Sequence, residues 1–309
     1  MSESNIKRNS PLFTIMIPTY NQEEYIIEAV NSALMQDYKN IEVIVSDDCS
    51  QDSTQALVSE IDNPKLIYCR SKTNLGRVKN YHHTVHDLSH GQWAVNLDGD
   101  DYFTVDWFVS EAMKTISQLQ SQKIVAYCYN HFNIDKIAKI IPSQQIDDNR
   151  ILVSGKDYFL NYAKIGAFFH SAFLFRRDIG VKLNLYTLPY QACDFHSLIR
   201  LMLLGNVILD RRPISYWRTH GDNTTFKEVD EKLQQMAKTL DAIEDFAKEY
   251  CTSSELKKWR KSMNTFSTKD YISTYAYLRK DFRAYWLLLS HPWIFEKWYI
   301  RSWYYLLFK

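Results

Sequence analysis

Between residues 13 and 130 the chain alternates short β-branched apolar runs with amphipathic segments, and this alternation limits the fold more than any other feature. The apolar runs are FTIMIP (13–18), IEVIVSD (41–47), KLIYC (65–69), QWAVNLD (92–98) and IVAYCYN (124–130). Between them lie EEYIIEAVNSALMQ (23–36), DSTQALVSEI (52–61), a segment from Arg77 to Leu88, and WFVSEAMKTISQL (107–119). The expected order is β-α-β-α-β-α-β-α-β. Strands that are apolar almost throughout, separated by helix-length segments, belong to a parallel sheet covered on both faces, because the crossover helices occupy those faces. Such a sheet gathers its ligands outside the carboxyl ends of its strands.

The rest of the chain is less regular. The polar connection from Asp135 to Arg150 reads as a mobile loop and SAFLFRR (171–177) as a strand. Asp194 to Leu204 reads as a helix, with Phe195, Leu198, Ile199, Met202 and Leu203 on one face and Gly205 as its stop. NVILD (206–210) and PISYWRTH (213–220) return as strands, and the pattern from Lys227 onward is helical, broken near 252–254 and at Pro292. The organisation expected is a polar leader (1–10), an α/β domain (11–225) and a helical C-terminal region (226–309).

With 37 basic and 36 acidic residues the net charge is +1, which excludes a nucleic-acid partner held by counterion release. The charge is uneven. Lys257 to Lys309 carries eleven Lys and Arg against three acids, a net +8, together with sixteen aromatics, five of them Trp. Trp and Tyr mixed with Lys and Arg suit the headgroup level of a bilayer, so this region is expected to dock on an anionic membrane surface or to pack its aromatics as helices. Five cysteines without a CxxC predict neither a disulfide framework nor a thiolate zinc site and fit a reducing compartment. The N-terminus has no apolar signal core, and no apolar run approaches the roughly 18 residues that span a bilayer. The expected location is cytoplasmic, peripheral on the inner face of the cell membrane.

The strongest chemical signal is Asp98-Gly99-Asp100-Asp101, directly after the strand QWAVNL. Three carboxylates within four residues repel one another, so a fold keeps them together where a cation or water screens them. Oxygen ligands of this kind suit Mn²⁺ or Mg²⁺ shared with a substrate's phosphates; the plainer reading is an acidic turn in which Gly99 supplies a positive φ. Carboxylates also follow the second strand, in SDDCSQD (46–52). Asp48 is placed to accept from the N3–H of a uracil ring, and Asp52 or Ser50 to cap the next helix. His82, His83, His86 and His90 show no zinc spacing and read as solvated or packed; His170, before SAFLFRR, is assigned no role.

The run IMIPTYNQEEYIIEAVNSALMQDYKNIEVIVSDDCSQDST, followed by NLGRVKN and NLDGDD, resembles the nucleotide-sugar-binding half of family-2 glycosyltransferases with the GT-A fold, over residues 12 to 225. The resemblance implies a Rossmann-like, mostly parallel sheet flanked by helices, with a C-terminal helical extension. It implies transfer of a sugar, with inversion, from a nucleoside diphosphate sugar, UDP being the expected nucleotide, to a hydroxyl of a glycan or lipid-linked glycan. Pro18 and Tyr20 then line the base pocket beside Asp48, Asp98 and Asp100 face ribose and metal, and Asp101 is a further metal-side carboxylate. NLGRVKN departs from the family's Ala-Arg-Asn, so that Arg77 or Lys79 meets the diphosphate. Asp194 takes the place of the general base, with Cys193 where the family carries Glu. YWRTHGDN (216–223) supplies His220 to the metal, and Arg218 or Asn223 to the diphosphate. The competing reading is a catalytically silent module that binds nucleotide sugar or docks on membranes; retention of Asp98, Asp100, Asp101 and Asp194 together argues against it.

Overall fold

A computed structural model describes residues 10–131, 133–166, 168–190, 192–220, 229–279 and 286. The chain divides into two compact units, Met1–Pro189 with Cys193–Arg218, and Tyr190–Ala192 with Thr219–Lys309.

The first unit is built on a nine-stranded sheet of order β3-β2-β1-β4-β9-β6-β10-β8-β7. β1 (Phe13–Thr19) and β2 (Ile41–Asp47) run parallel, Phe13 opposite Ile41 and Thr19 opposite Asp47, and all seven residues of each are buried. That burial on both faces is why they read as unbroken apolar runs. β3 (Leu66–Arg70) and β4 (Trp93–Asn96) extend the parallel block on either side. β9 (Phe173–Arg176) is then inserted antiparallel between β4 and β6 (Ile124–Cys128). β10 (Asn206–Asp210) lies parallel to β6, and β8 (Arg150–Ser154) and β7 (Ser143–Gln145) close the far edge antiparallel.

Helices cover the sheet through faces legible in their spacing. α1 (Ile26–Leu34) buries Ile26, Ala29, Val30 and Ala33. α2 (Thr54–Ser59) follows β2, and α3 (Arg77–His83) runs on into a π turn, Thr84–Leu88. α4 (Phe108–Gln118) buries Phe108, Val109, Ala112 and Met113. The stretch 135–150 is not the loop expected: it holds α5 (Ile134–Ile140) and β7, because Ile134 and Ile137 give the polar segment a buried side. α6 (Gly155–Ile165) is capped by the Ser154 hydroxyl, which accepts from the Asp157 N–H at 3.3 Å. α7 (Arg177–Lys182) and α8 (Cys193–Met202) complete this unit. PISYWRTH contributes a strand of only two residues, β11 (Ser215–Tyr216), paired antiparallel with β5 (Tyr102–Phe103).

In the second unit α9 (Val229–Ala247) is followed by α10 (Ser253–Arg279). The break falls at Thr252, whose hydroxyl accepts from the Glu255 N–H at 3.3 Å while the Glu255 carboxylate accepts from the Thr252 N–H at 2.7 Å, a reciprocal cap. Leu240, Ile243, Leu256, Trp259 and Met263 are buried, and Arg260 reaches back to Asp241 and Glu244. Among the described residues no helix is long and apolar enough to cross a membrane. The leader, Pro292 and most of the basic aromatic tail lie outside the described residues; Trp286 within it is exposed.

Candidate active site

The acidic turn is fixed to the sheet edge by backbone. The Leu97 N–H donates to the Met16 carbonyl at 2.8 Å, carrying the β1–β4 pairing past its last strand residue, and the Asp101 N–H closes the turn on the Asp98 carbonyl at 2.9 Å. Gly99 is here for space and not for a positive φ, which among the described glycines belongs to Gly76 and Gly166. A Cβ at Gly99 would stand 2.2 Å from Gln22 Oε1 and 2.8 Å from Thr19 Oγ1. The turn therefore lies against the end of β1, where the Thr19 hydroxyl donates to the Gln22 amide oxygen at 2.7 Å.

From this turn a chain of polar contacts crosses to α8. Asp98 Oδ1 accepts from the Tyr81 hydroxyl at 2.5 Å and from the Asn96 amide at 3.1 Å, and its Oδ2 lies 3.1 Å from His170 Nε2. The other ring nitrogen of His170, Nδ1, lies 3.3 Å from Asp194 Oδ2. Burial works to raise the Asp98 pKa, but the His170 charge and hydrogen bond outweigh it and hold the carboxyl down to about 2. For His170 burial favours the neutral ring, and the paired carboxylates of Asp98 and Asp194 override it, raising the pKa well above the ordinary value. Asp194, in the first turn of α8, is held below the usual range because the hydrogen bond from His170 overcomes the effect of burial. His170, given no role from sequence, thus joins the acidic turn to the expected base.

Arg218 secures the other side of the turn, and strand register explains how. Tyr216 pairs with Tyr102 in antiparallel sense, so two residues onward Arg218 meets Asp100. Its Nε donates to the Asp100 carbonyl at 2.9 Å, its backbone N–H donates to Asp101 Oδ1 at 2.9 Å, and its guanidinium pairs with Glu28. The same guanidinium lies 4.8 Å from the ring centroid of Tyr25 and 5.3 Å from that of Tyr102. Asp101 is only 2% exposed; burial, with the Asp98 charge second, pushes its carboxyl up to about 7. Asp98, Asp101 and His170 each offer a ligand atom within 4.8 Å of the others, a mixed oxygen and imidazole set that fits a divalent cation. Asp100, half-buried, stands outside this group of three, and His220 belongs to the second unit.

On the β1 and β2 side, Pro18 is buried in register with Ser46, while Tyr20 is 45% exposed at the strand exit. Asn21 and Cys49 turn the chain through the left-handed region at φ 52° and 67°, and Asn21 Oδ1 accepts from the Gln51 N–H at 2.7 Å. Ser53 stands at the N-cap of α2 without a side-chain cap bond, and Asp52 before it accepts from the Thr54 N–H at 3.0 Å. Asp48 spends its carboxylate on the loop before α3, one oxygen accepting from the Leu75 N–H at 2.6 Å and the other from the Gly76 N–H at 2.8 Å. That bracing sets Arg77 at the start of α3, 5.6 Å from the Tyr81 ring centroid. Burial opposes the Arg77 charge, and the fields of Tyr81, Cys193, Asp194 and Asp98 raise its pKa in spite of it. Lys79, two positions on, is exposed. Asp47, to which no sequence signal gives a role, is fully buried: it accepts from the Tyr68 hydroxyl at 2.5 Å and the Ser50 N–H at 2.8 Å, and so holds the turn that carries Asp48.

Comparison with known proteins bears on the family and the fold. Over 99 residues the chain is 33% identical to the putative colanic acid biosynthesis glycosyl transferase WcaA of Escherichia coli K12, covering 31% of this chain and 35% of the relative. Over 130 residues it is 30% identical to UDP-Glc:alpha-D-GlcNAc-diphosphoundecaprenol beta-1,3-glucosyltransferase WfaP of Escherichia coli, covering 40% of this chain and 47% of the relative. The matches therefore span less than half the length of these curated relatives. Staphylococcus aureus TarS in complex with UDP superposes with a TM-score of 0.53 at 17% identity, over 95% of this chain and 91% of the other. Mannosyltransferase PcManGT of Pyrobaculum calidifontis, in complex with GDP-Man and Mn²⁺, gives 0.55 at 15%, over 97% and 86%. These two likenesses establish a shared GT-A fold. The model of Glycosyl transferase family 2 matches residues 14–180, more than half of the chain, and the chain belongs to that family.

Proposed function

We propose that this chain is an inverting glycosyltransferase that moves a sugar from a nucleoside diphosphate donor, UDP being the expected nucleotide, to a hydroxyl of a glycan or lipid-linked glycan. The observation that carries the reading is the convergence of Asp194 with Asp98 on one imidazole, at 3.3 Å and 3.1 Å, which sets a candidate base beside the acidic turn. Inverting transfer needs both: a base for the acceptor proton and groups that hold the departing diphosphate. Held below the usual carboxyl range, Asp194 is ionised at neutral pH, the protonation state a base requires. Pro18, Tyr20 and Asp48 surround the nucleotide base, and Arg77 faces the diphosphate. Asp98 and Asp101 hold Mn²⁺ or Mg²⁺, which when bound neutralises charge developing on the leaving group.

The printed activity of WfaP, with its UDP-Glc donor and diphosphoundecaprenol-linked acceptor, supports a nucleotide-sugar donor and a lipid-linked acceptor. The Mn²⁺ and GDP-Man bound by PcManGT support the metal. A cytoplasmic enzyme meeting such an acceptor works at the inner face of the membrane, and the net +8 of Lys257 to Lys309 is suited to docking there.

The test is a panel of UDP-, GDP- and dTDP-sugars with Mn²⁺, read by release of free nucleotide in the presence of acceptor. Asp194→Asn, at saturating Mn²⁺, is expected to bind donor as the parent does while transferring about 10²- to 10⁴-fold more slowly, the usual worth of a general base. Turnover within a few-fold of the parent places the base elsewhere.

A further inference from the structure

His170 touches both halves of the site, and its surroundings prepare it for more than a salt bridge. It opens the short 3-10 turn His170–Ala172 ahead of β9, and the hydroxyl of its neighbour Ser171 lies 3.0 Å from that of Ser215, which anchors the turn to the strand leading to Arg218. The Tyr81 ring stands edge-on to the imidazole, centroids 6.5 Å apart at 71°. With its side chain only 17% exposed, the ring has little room to rotate. One nitrogen, Nε2, lies 3.1 Å from Asp98 Oδ2, and the other, Nδ1, 3.3 Å from Asp194 Oδ2, while the imidazole offers a ligand atom to the group it forms with Asp98 and Asp101.

A metal-binding histidine is nearly always arranged in this way. Its free ring N–H donates to a carboxylate, a backbone carbonyl or water, which fixes the tautomer, orients the ring and strengthens the ligand. We propose that His170, giving up its Nε2 proton to solvent as the cation takes its place, is the third protein ligand of the divalent cation at the acidic turn through Nε2, and that Asp194 is the carboxylate that orients it from Nδ1. Asp194 then has a second task. It is the acceptor's base and also a positioning residue for the metal, so that donor-side cation and acceptor-side base share one imidazole. His220 is not needed as a protein ligand in this arrangement. The inference rests on the reading that a cation binds at the acidic turn and that Asp194 is the base, and the experiment separates failure of either from failure of the link.

The probe is Mn²⁺ alone, then Mn²⁺ with UDP, added to the full chain and followed by electron paramagnetic resonance. Pulsed measurements should detect coupling of Mn²⁺ to a histidine nitrogen in the parent protein, lost in His170→Ala and kept in His220→Ala. Titration of free Mn²⁺ should show affinity falling about 10- to 100-fold in His170→Ala and, by the loss of its orienting partner, in Asp194→Asn. A parent protein that binds Mn²⁺ without histidine coupling overturns the proposal, as does coupling that disappears in His220→Ala. The parent spectrum decides even if His170→Ala does not fold, and circular dichroism of each variant records that. No Mn²⁺ binding at all removes the metal reading along with the link. If Asp194→Asn transfers slowly yet binds Mn²⁺ as the parent does, the base stands and the link fails; weakened Mn²⁺ binding with near-normal transfer keeps the link and removes the base.

Discussion

Gly99 offers the sharpest test of how the acidic turn is held. In Gly99→Ala the new methyl carbon arrives 2.2 Å from Gln22 Oε1, 2.8 Å from Thr19 Oγ1 and 3.1 Å from Thr19 Cβ. The Gln22 amide ends a flexible side chain and can swing away, at the loss of its hydrogen bond from Thr19, about 1 kcal/mol. Thr19 cannot follow, because it is 3% exposed at the end of β1 and its side chain is short. Restoring ordinary contact distance requires the turn to back off by several tenths of an ångström, and overpacking of this kind costs about 1 to 3 kcal/mol. The sum, about 2 to 4 kcal/mol, should lower the melting temperature by about 4 to 16 °C for a unit of this size. Asp98 and Asp101 flank the displaced residue, so Mn²⁺ affinity should fall about tenfold as ligand geometry loosens. The distinctive expectation is rescue: in a double-mutant cycle Thr19→Ala should relieve Gly99→Ala by at least about 1 kcal/mol, since it removes Oγ1, the closer of the two Thr19 atoms that collide. A melting temperature within about 1 °C of the parent would refute the steric argument. So would a full loss that neither Thr19→Ala nor Gln22→Ala relieves, because that pattern marks a demand on the backbone of residue 99 itself.

The neighbouring cations separate by helix face: Arg77→Ala should weaken UDP binding, measured by calorimetric titration with Mn²⁺, by about tenfold or more, the scale of a hydrogen bond to a charged group, while Lys79→Ala stays within about threefold. Equal losses would mean that α3 presents both to the diphosphate. Away from the site, His131 is 6% exposed with its Nε2 unpartnered among the described residues, and burial lowers its pKa to about 4. Because that lies below the unfolded value, the unfolded chain binds more protons between the two. The stability contribution is complete above about pH 6.5 and is lost as pH falls toward 4. Urea unfolding should therefore show the parent losing about 2 kcal/mol more than His131→Gln between pH 7 and 5, and parallel losses would show that His131 is not the group titrating.

The sequence exposes those parts of the site that follow a parallel strand and hides those that precede an antiparallel one. Asp48 and Asp98 stand just past the carboxyl ends of β2 and β4, where an α/β sheet is expected to bind, and the apolar runs mark those ends closely. His170 stands before β9. Since β9 is reversed in the sheet, its leading residues, not its trailing ones, arrive at the same edge. Nothing in the spacing of SAFLFRR announces that reversal. Arg218 is of an intermediate kind: its segment was visible, but its contact with Asp100 depends on the two-residue pairing of β5 and β11, too short to show a period. The α5 helix was hidden by its charge, because Asp135, Lys136 and Lys139 mask an Ile134 and Ile137 face of two buried side chains.

The insertion of β9 also dictates an order of assembly. β1 to β4 are complete once residue 96 has emerged, and each of their pairings lies within that stretch. The outer edge of β4, however, finds its partner only in Phe175 and Arg176, and β6 pairs with nothing earlier than β9. Through the synthesis of about 80 intervening residues, several seconds at ribosomal rates, the β4 flank lacks the partner it has in the finished sheet, its backbone amides and carbonyls open to another strand. The flank of β4 closes only when β9 arrives, and the same segment brings His170 to the site.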